Sequence, residues 1–526
     1  MRSTTPSQRT RARGTGGRAA GIAATVLAAL ALALLPTGTG HASTASACPS
    51  HWVVSWGASP SDASQTQTLD DQTLRMIVAP HFGGSEVRVR LSNEFGSAPV
   101  TLGSVYVGLS SGGAGVQDGT NQQVTFAGQS SVTISAGAQV ASDPVTLAVT
   151  PFQDLAVSVY VPGAIPNPTE HEVTRQTSFM SAPESGDVGA DTDGGIFPSA
   201  TGGQISTGWY FLDGIDVLAP ATARAVVAFG DSLTDGFQGN LLTLTENDST
   251  VNQNARYPDD LARRLLAAGL PLSVLDAGIS GNELLTSGTA NQPFGGPSGL
   301  TRLAQDALDI PGASDLIVFE GINDLAASGA SAGQVIAGLT QVVQQAHAAG
   351  LRVQLATLTP TGASLNSSYS SAATTAAREQ VNQWILGQHI ADGVIDFASA
   401  VADPSDPAEL SPQYDGGDGI HLNAAGYRAL ANAVSLSALA APTCQPAAAP
   451  AARCPRATQI TLPRRYARTL RSWVVLDGRR VLARAGSRRH SVAVDLHGRA
   501  ATLQIVAHLR GRRTVRVTRH VPACGG

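Results

Sequence analysis

The sequence predicts an α/β protein in three folded parts: an antiparallel β-sandwich, an α/β domain on a parallel sheet, and a small all-β module. Three changes of texture carry this reading. Residues 50–220 run as short alternating segments broken by Gly, Ser, Asn and Pro. Residues 221–443 alternate apolar strands with helical stretches, and the end of the chain returns to strand-like alternation. A chain of 526 residues exceeds one domain, and 43% hydrophobic content is enough to build real cores. The expected boundaries are 1–47, 48–220, 221–444, a linker at 445–453, and 454–526.

The first segment carries Arg2, Arg9, Arg11, Arg13 and Arg18, then an apolar run from Ala19 to Leu35 and small residues up to Ala47. That order of basic, apolar and small residues is the layout of a secretory signal peptide. The apolar run is short for a retained membrane span. The mature protein is therefore expected to be secreted, with residues 1–47 removed.

In the second segment, Glu86–Leu91, Ser131–Ile134 and Leu155–Val161 alternate with turn residues between them, which argues for a sandwich of short antiparallel strands. In the third, strands are expected at Arg224–Phe229, Leu272–Ala277, Asp315–Glu320, Arg352–Thr357 and Val394–Phe397. Helices are expected at Asp259–Ala268, Gln334–Ala349, Ala372–Ile390 and Ala424–Leu439. Strands alternating with helices imply a parallel sheet covered on both faces, with ligands beyond the strands' carboxyl ends. The Ala/Pro stretch from Gln445 to Ala452 reads as a semi-rigid linker. Ser472–Leu476, Val492–Leu496 and Leu503–Leu509 supply strands for the last module.

Four cysteines, Cys48, Cys444, Cys454 and Cys524, bracket these parts. Four allow three pairings; their placement favours Cys48 with Cys444 and Cys454 with Cys524, disulfides suited to an exported protein. Charge is divided unevenly. Residues 445–526 hold 17 arginines against Asp477 and Asp495, a balance of +15, whereas residues 48–444 carry −25. The basic module is expected to hold the protein near an anionic cell-wall polymer or membrane surface, or against its own acidic body.

Chemistry concentrates where the parallel strands should end. Gly230-Asp231-Ser232-Leu233 follows the first of them, Gly278-Ile279-Ser280-Gly281-Asn282 the second, and Gly321-Ile322-Asn323-Asp324 the third. Asp418-Gly419-Ile420-His421 follows the fifth after a loop. A serine at such a turn is a nucleophile only if a base lies within hydrogen-bond reach and a third group aims that base. Singly, Ser232 could merely cap a helix, Gly281 serve a turn, Asn323 form an Asx-turn and His421 sit on the surface.

Together the four blocks resemble the SGNH, or GDSL-type, serine hydrolase superfamily, at Ser232, Gly281, Asn323 and His421 in the family's order. The resemblance spans about residues 221–443 and implies a flavodoxin-like three-layer α/β fold. It implies Ser232 as nucleophile, His421 as general base, and Asp418 as the acid that orients it. It also implies an oxyanion hole from the Ser232 and Gly281 backbone N–H groups and the Asn323 amide. Leu422 stands where many members carry proline, a change that should leave the chemistry intact. Trp52–Pro60 and Val87–Gly96 look like a branch of secreted bacterial esterases with a β-sandwich ahead of the catalytic domain. Some of that branch are associated with plant cell-wall polysaccharides.

Two decoys are set aside. Gly329-Ala330-Ser331-Ala332-Gly333 matches a G-x-S-x-G pattern, but no strand immediately precedes Ser331. Ser331 with Gln334 fits a capping box instead. Asp187–Gly194 lacks the terminal acid of a calcium loop and reads as an ordinary loop. His171, His347 and His389 read as structural. No metal, cofactor or nucleic-acid partner is expected.

The expected function is a secreted ester hydrolase acting through an acyl-enzyme on Ser232, on short acyl esters, acetyl groups of polysaccharides among them. A lipase- or phospholipase-type acylhydrolase and an acyltransferase would share the same site. A non-catalytic wall-binding protein is the reading from another class.

Overall fold

The computed structural model describes residues 50–197, 205–206, 208–240, 245–246, 250–288, 295–439, 458–461, 469–489, 491–494, 501–511 and 513–521. The expected signal peptide, all four cysteines with their pairing, the linker and Asp495 lie outside these residues.

The N-terminal part is all-β. Its main strands are β1 (His51–Gly57), β2 (Gln72–Val78), β3 (Gly84–Ser92), β4 (Val105–Gly112), β5 (Leu155–Val161) and β6 (Leu212–Ala219). In one antiparallel sheet β6 lies between β1 and β3, and β3 also pairs with Gln139–Ala141 and Val145–Val149. In the other, β5 lies between β4 and β2, and β2 continues to Ser178–Met180. In β3 the buried Val87, Val89 and Leu91 alternate with the more exposed Glu86, Arg88 and Arg90. That period of two is what a strand with one face on a core requires. Both sheets feed one continuous apolar core.

Five parallel strands follow: β7 (Arg224–Gly230), β8 (Leu272–Gly278), β9 (Ala313–Phe319), β10 (Arg352–Ala356) and β11 (Gly393–Ile395). Their order across the sheet is β8-β7-β9-β10-β11. Ala225 through Phe229 are all fully buried, as expected for a central parallel strand covered on both faces. The chain passes from β7 to its neighbour on one side and later to its neighbour on the other. The carboxyl end of β7 is therefore the point where strand order reverses, and crevices for ligands form there.

The helices are α1 (Ser232–Asp235), α2 (Tyr257–Ala267), α3 (Gly299–Leu303), α4 (Ile322–Ala326), α5 (Ala332–Ala348), α6 (Ala372–Gly387), α7 (Phe397–Val401) and α8 (Ala424–Ala433). α8 packs on α2 and α7, while α5 packs on α3 and α6. Two expected helices run shorter than their sequence pattern. α6 ends at Gly387 because Gln388 turns to extended backbone, and α8 ends at Ala433 because Val434 does the same. Phe397 opens α7 rather than closing β11, since the Asp396 side chain accepts from the Ser399 N–H and caps that helix.

The β-rich N-terminal region and the parallel sheet meet along β1 and β8. The Val54 N–H donates to the Pro311 carbonyl at 3.0 Å, and Ser273 Oγ donates to the Val54 carbonyl at 2.6 Å. Ala58 forms a parallel bridge with Asp276. A side chain at Gly57 would press on the Leu275 side chain of β8 and on the Asp213 carbonyl.

At the C-terminal end, β12 (Leu470–Asp477), β13 (Arg480–Gly486), β14 (Ala501–Leu509) and β15 (Thr514–Val521) form an antiparallel sheet in the order β13-β12-β14-β15. Their buried residues, Trp473, Val475, Leu503 and Ile505 among them, make a separate small core. Among the described residues, no helix is long and apolar enough to cross a membrane.

Candidate active site

Ser232 is the first residue of α1, directly after β7, and is 8% exposed. It does not cap the helix. Asp231 does so, its carboxylate accepting from the Leu233 N–H at 2.9 Å. The Ser232 hydroxyl is thereby left to meet His421 Nε2 at 3.0 Å. The turn is tight: a side chain at Gly230 would collide with Thr234 and the Phe319 carbonyl, so only glycine fits before Asp231. As the first helical residue, Ser232 also carries an N–H that precedes the intrahelical ladder.

His421 Nδ1 lies 2.7 Å from Asp418 Oδ2, and the other Asp418 oxygen accepts from the N–H groups of Ile420 and His421. Burial alone would raise the Asp418 carboxyl. The bond and charge of His421, with those two N–H donors, outweigh it and hold the group at about 2. A carboxylate so held keeps the proton on His421 Nδ1 and presents Nε2 to the serine. Phe237 packs on the imidazole, ring centroids 4.6 Å apart. Phe237 is itself held by the Tyr427 hydroxyl, which donates to its carbonyl at 2.5 Å.

The segment from Gly278 to Asn282 runs against α1. A side chain at Gly278 would overlap the Asp235 backbone, and Gly281 has φ 78°, a left-handed conformation that favours glycine. Asp235 Oδ2 accepts from both the N–H and the hydroxyl of Ser280, at 2.9 and 2.7 Å. Asn323 opens away from an Asx-turn. Its amide donates to the Asn282 carbonyl at 2.8 Å, and its oxygen accepts from the Tyr369 hydroxyl at 2.6 Å. That second bond fixes which way the amide faces. The structure thus brings Ser232, His421 and Asp418 into one hydrogen-bonded chain and sets Asn323 against the loop that contains Gly281.

Three residues that pack beside these groups carry no signal in the sequence. Tyr369 is one. The second is Arg302, whose fully buried guanidinium donates to the Gly230, Ala277 and Asn282 oxygens at 2.8–2.9 Å. It also pairs with Asp306 at 3.1 Å and lies 3.7 Å from Glu320. Burial, then the charge of Asp231, push the Glu320 carboxyl well up despite Arg302. Burial likewise pushes Asp231 up to about 7. The third is His171, which no motif or spacing puts near the site; its ring lies 3.2 Å from Asp235.

The remaining motifs have structural uses. Ser331 and Gln334 form the expected capping box at the start of α5. Asp187 accepts from Ser104 Oγ and the Gly189 N–H, while Asp193 caps a short turn. His347 pairs with Asp392 at 2.8 Å. Among the described residues, no three His, Cys, Asp or Glu side chains are grouped to hold a metal ion.

Residues 228–429 match the GDSL-like lipase/acylhydrolase family. Among solved structures, the chain is similar to an aryl esterase of M. smegmatis, at 18% identity over 40% of this chain and 96% of that one, with a TM-score of 0.33. It is also similar to a carbohydrate acetylesterase from Sinorhizobium meliloti, at 20% identity over 40% and 95%, with a TM-score of 0.32. A GDSL-like lipase from Bacteroides thetaiotaomicron gives 18% identity over 41% and 87%, with a TM-score of 0.30. No curated protein matches the chain.

Proposed function

We propose that the protein, a carboxylic ester hydrolase whose residues 228–429 match the GDSL-like lipase/acylhydrolase family, works through an acyl-enzyme on Ser232. The observation that carries this reading is the continuous chain Ser232 Oγ–His421–Asp418, at 3.0 and 2.7 Å. Ser232 Oγ attacks the ester carbonyl as its proton passes to His421 Nε2. The negative charge on the carbonyl oxygen is met by the N–H groups of Ser232 and Gly281 and by the Asn323 amide. Collapse breaks the bond to the alcohol, which leaves with the proton from His421. Water, deprotonated by the same imidazole, then attacks the acyl-serine; collapse releases the acid and returns the proton to Ser232.

The substrates proposed are short acyl esters, acetyl groups on polysaccharide among them. The absence of a long apolar segment near the site in the sequence supports this over long-chain lipids. A sugar hydroxyl in place of water would give an acyltransferase from the same acyl-enzyme. Turnover of p-nitrophenyl esters from acetate to palmitate tests both residue and chain length. Ser232→Ala should lower kcat on the order of 10⁴–10⁶-fold; full activity in that variant removes the assignment. Rates should fall from acetate to palmitate, and a flat or rising series favours the lipase reading. Acetate release from acetylated xylan tests the polysaccharide.

We also propose that the protein is exported and that its basic module tethers it to anionic wall polymer. Its exposed arginines, Arg471, Arg480, Arg484 and Arg516 among them, and the acidic remainder of the chain support this. Salt near 1 M, where the Debye length is about 3 Å, should release the tether. Equal binding to wall preparations after deletion of 445–526 would count against it.

A further inference from the structure

A histidine is one route by which the all-β N-terminal part reaches the loop from Gly278 to Asn282. His171 is 2% exposed, on the short strand Thr169–His171, with its ring stacked on Trp209 at 5.6 Å. Nδ1 faces the Ser59 carbonyl at 2.7 Å, and Nε2 faces Asp235 Oδ1 at 3.2 Å and the Val173 carbonyl at 3.3 Å. Every one of these partners is an acceptor. A neutral imidazole donates from one nitrogen only, so the imidazolium is the form that satisfies both sides. The charged groups around it are Asp235, Arg256, Asp62 and Glu170. Burial works against the charged ring, but the charge and hydrogen bond of Asp235 outweigh it and raise its pKa.

Asp235 divides its two oxygens. Oδ1 takes His171, and Oδ2 takes the N–H and hydroxyl of Ser280, the residue before Gly281. Asp235 also ends the helix that Ser232 begins. One carboxylate therefore joins the nucleophile's helix, the loop bearing a proposed oxyanion donor, and the β-domain. A parallel strut runs beside it. Arg256 Nη1 pairs with Asp276 at 3.2 Å, Asp276 accepts from the Gly278 N–H at 3.0 Å, and the guanidinium lies 5.3 Å from the Trp209 ring.

We propose that His171 is a positioning residue for ester hydrolysis, acting through Asp235 and Ser280 to hold the Gly281 N–H where the oxyanion forms. This rests on the acyl-enzyme reading above. Without His171, Asp235 would lose the partner of its Oδ1 and keep Ser280 on Oδ2, with the Arg256 charge nearby. With His171 opposite, its orientation is fixed from both sides, and the loop follows it. The N-terminal part is then a component of the catalytic apparatus, in addition to any binding it does.

A group that positions an oxyanion donor contributes in the transition state and little in the ground state, so its loss lowers kcat and leaves KM alone. The test compares wild type, His171→Gln, Ser280→Ala and the double variant on p-nitrophenyl acetate, with Ser232→Ala as reference. Each single change should lower kcat about five- to twentyfold with KM within about twofold. Because both lie on one path, the double variant should fall little further than the worse single one. Ser280→Ala, at a partly exposed loop, guards against a His171 variant that fails to fold, and its melting temperature should stay near wild type. Unchanged kcat in folded Ser280→Ala and His171→Gln overturns the inference while leaving the acyl-enzyme intact. So do multiplying effects in the double variant, or a rise in KM alone. Activity in Ser232→Ala overturns the acyl-enzyme reading itself.

Discussion

At the scale of single residues, the site turns on which way two side chains face, and each orientation has an identifiable holder. Asp418 sets the imidazole and Tyr369 sets the Asn323 amide. Asp418 also couples the site to acid stability. Its carboxyl sits at about 2 in the folded chain against an ordinary 3.8, so folding depresses it. The sign follows directly: its stabilisation is complete above the ordinary value and is lost as the pH falls through about 2. Asp418→Asn should flatten that part of the stability curve, measured by denaturant unfolding between pH 5 and about 2. At neutral pH the same change should lower kcat on the order of 10⁴-fold, because an amide can hold the wrong tautomer. An unaltered acid limb would show that Asp418 carries no such linkage.

Secondary-structure elements show why some of the proposed site residues are legible in the sequence and others are not. Ser232, Gly281 and Asn323 follow β7, β8 and β9 directly, so an apolar run followed by a polar turn marks each of them. Asp418 and His421 come after a loop, and only their spacing of three and the other blocks single them out. Arg302 gives no such signal. It lies on a one-turn helix, and its role consists of contacts with strands up to 72 residues away in sequence. Tyr369 and His171 are hidden for the same reason. The helices stop at Gly387 and Ala433, short of their sequence pattern, because the residues beyond them continue a helical composition while the backbone turns extended.

Arg302 is also where an element-scale prediction belongs. One guanidinium ties the ends of β7 and β8 to Asn282 and pairs with Asp306, beside a Glu320 carboxyl that burial drives toward its neutral form. Removing one partner of a buried pair costs about 3–5 kcal/mol, since the other charge stays buried. Arg302→Met should lower unfolding free energy by about that amount, read from the denaturant midpoint, and reduce kcat as the ends of the strands loosen. A loss under about 1 kcal/mol would mean the carboxyls are already neutral and need no partner.

For the whole molecule, the sequence indicated successive parts and an antiparallel β-rich N-terminal region, but not how closely the first two join. Their seam depends on Gly57, Val54 and Ser273, residues whose types fit many surroundings. The core is continuous across it. Residues 50–439 should accordingly unfold in a single calorimetric transition, whereas two separate melts would mean the parts are energetically independent.

The seam has a further consequence. β8 is the outermost strand of the parallel sheet, and an outermost strand offers its backbone to any passing chain. Here β1 lies along it, with Ala58 bridged to Asp276 and Val54 bonded to Ser273. The β-domain therefore shields the catalytic sheet from strand addition by other copies. Residues 221–439 produced alone should self-associate as concentration rises, visible in light scattering, even under conditions that leave the β7 turn intact. Keeping the enzyme dispersed is thus a task built into its first strand.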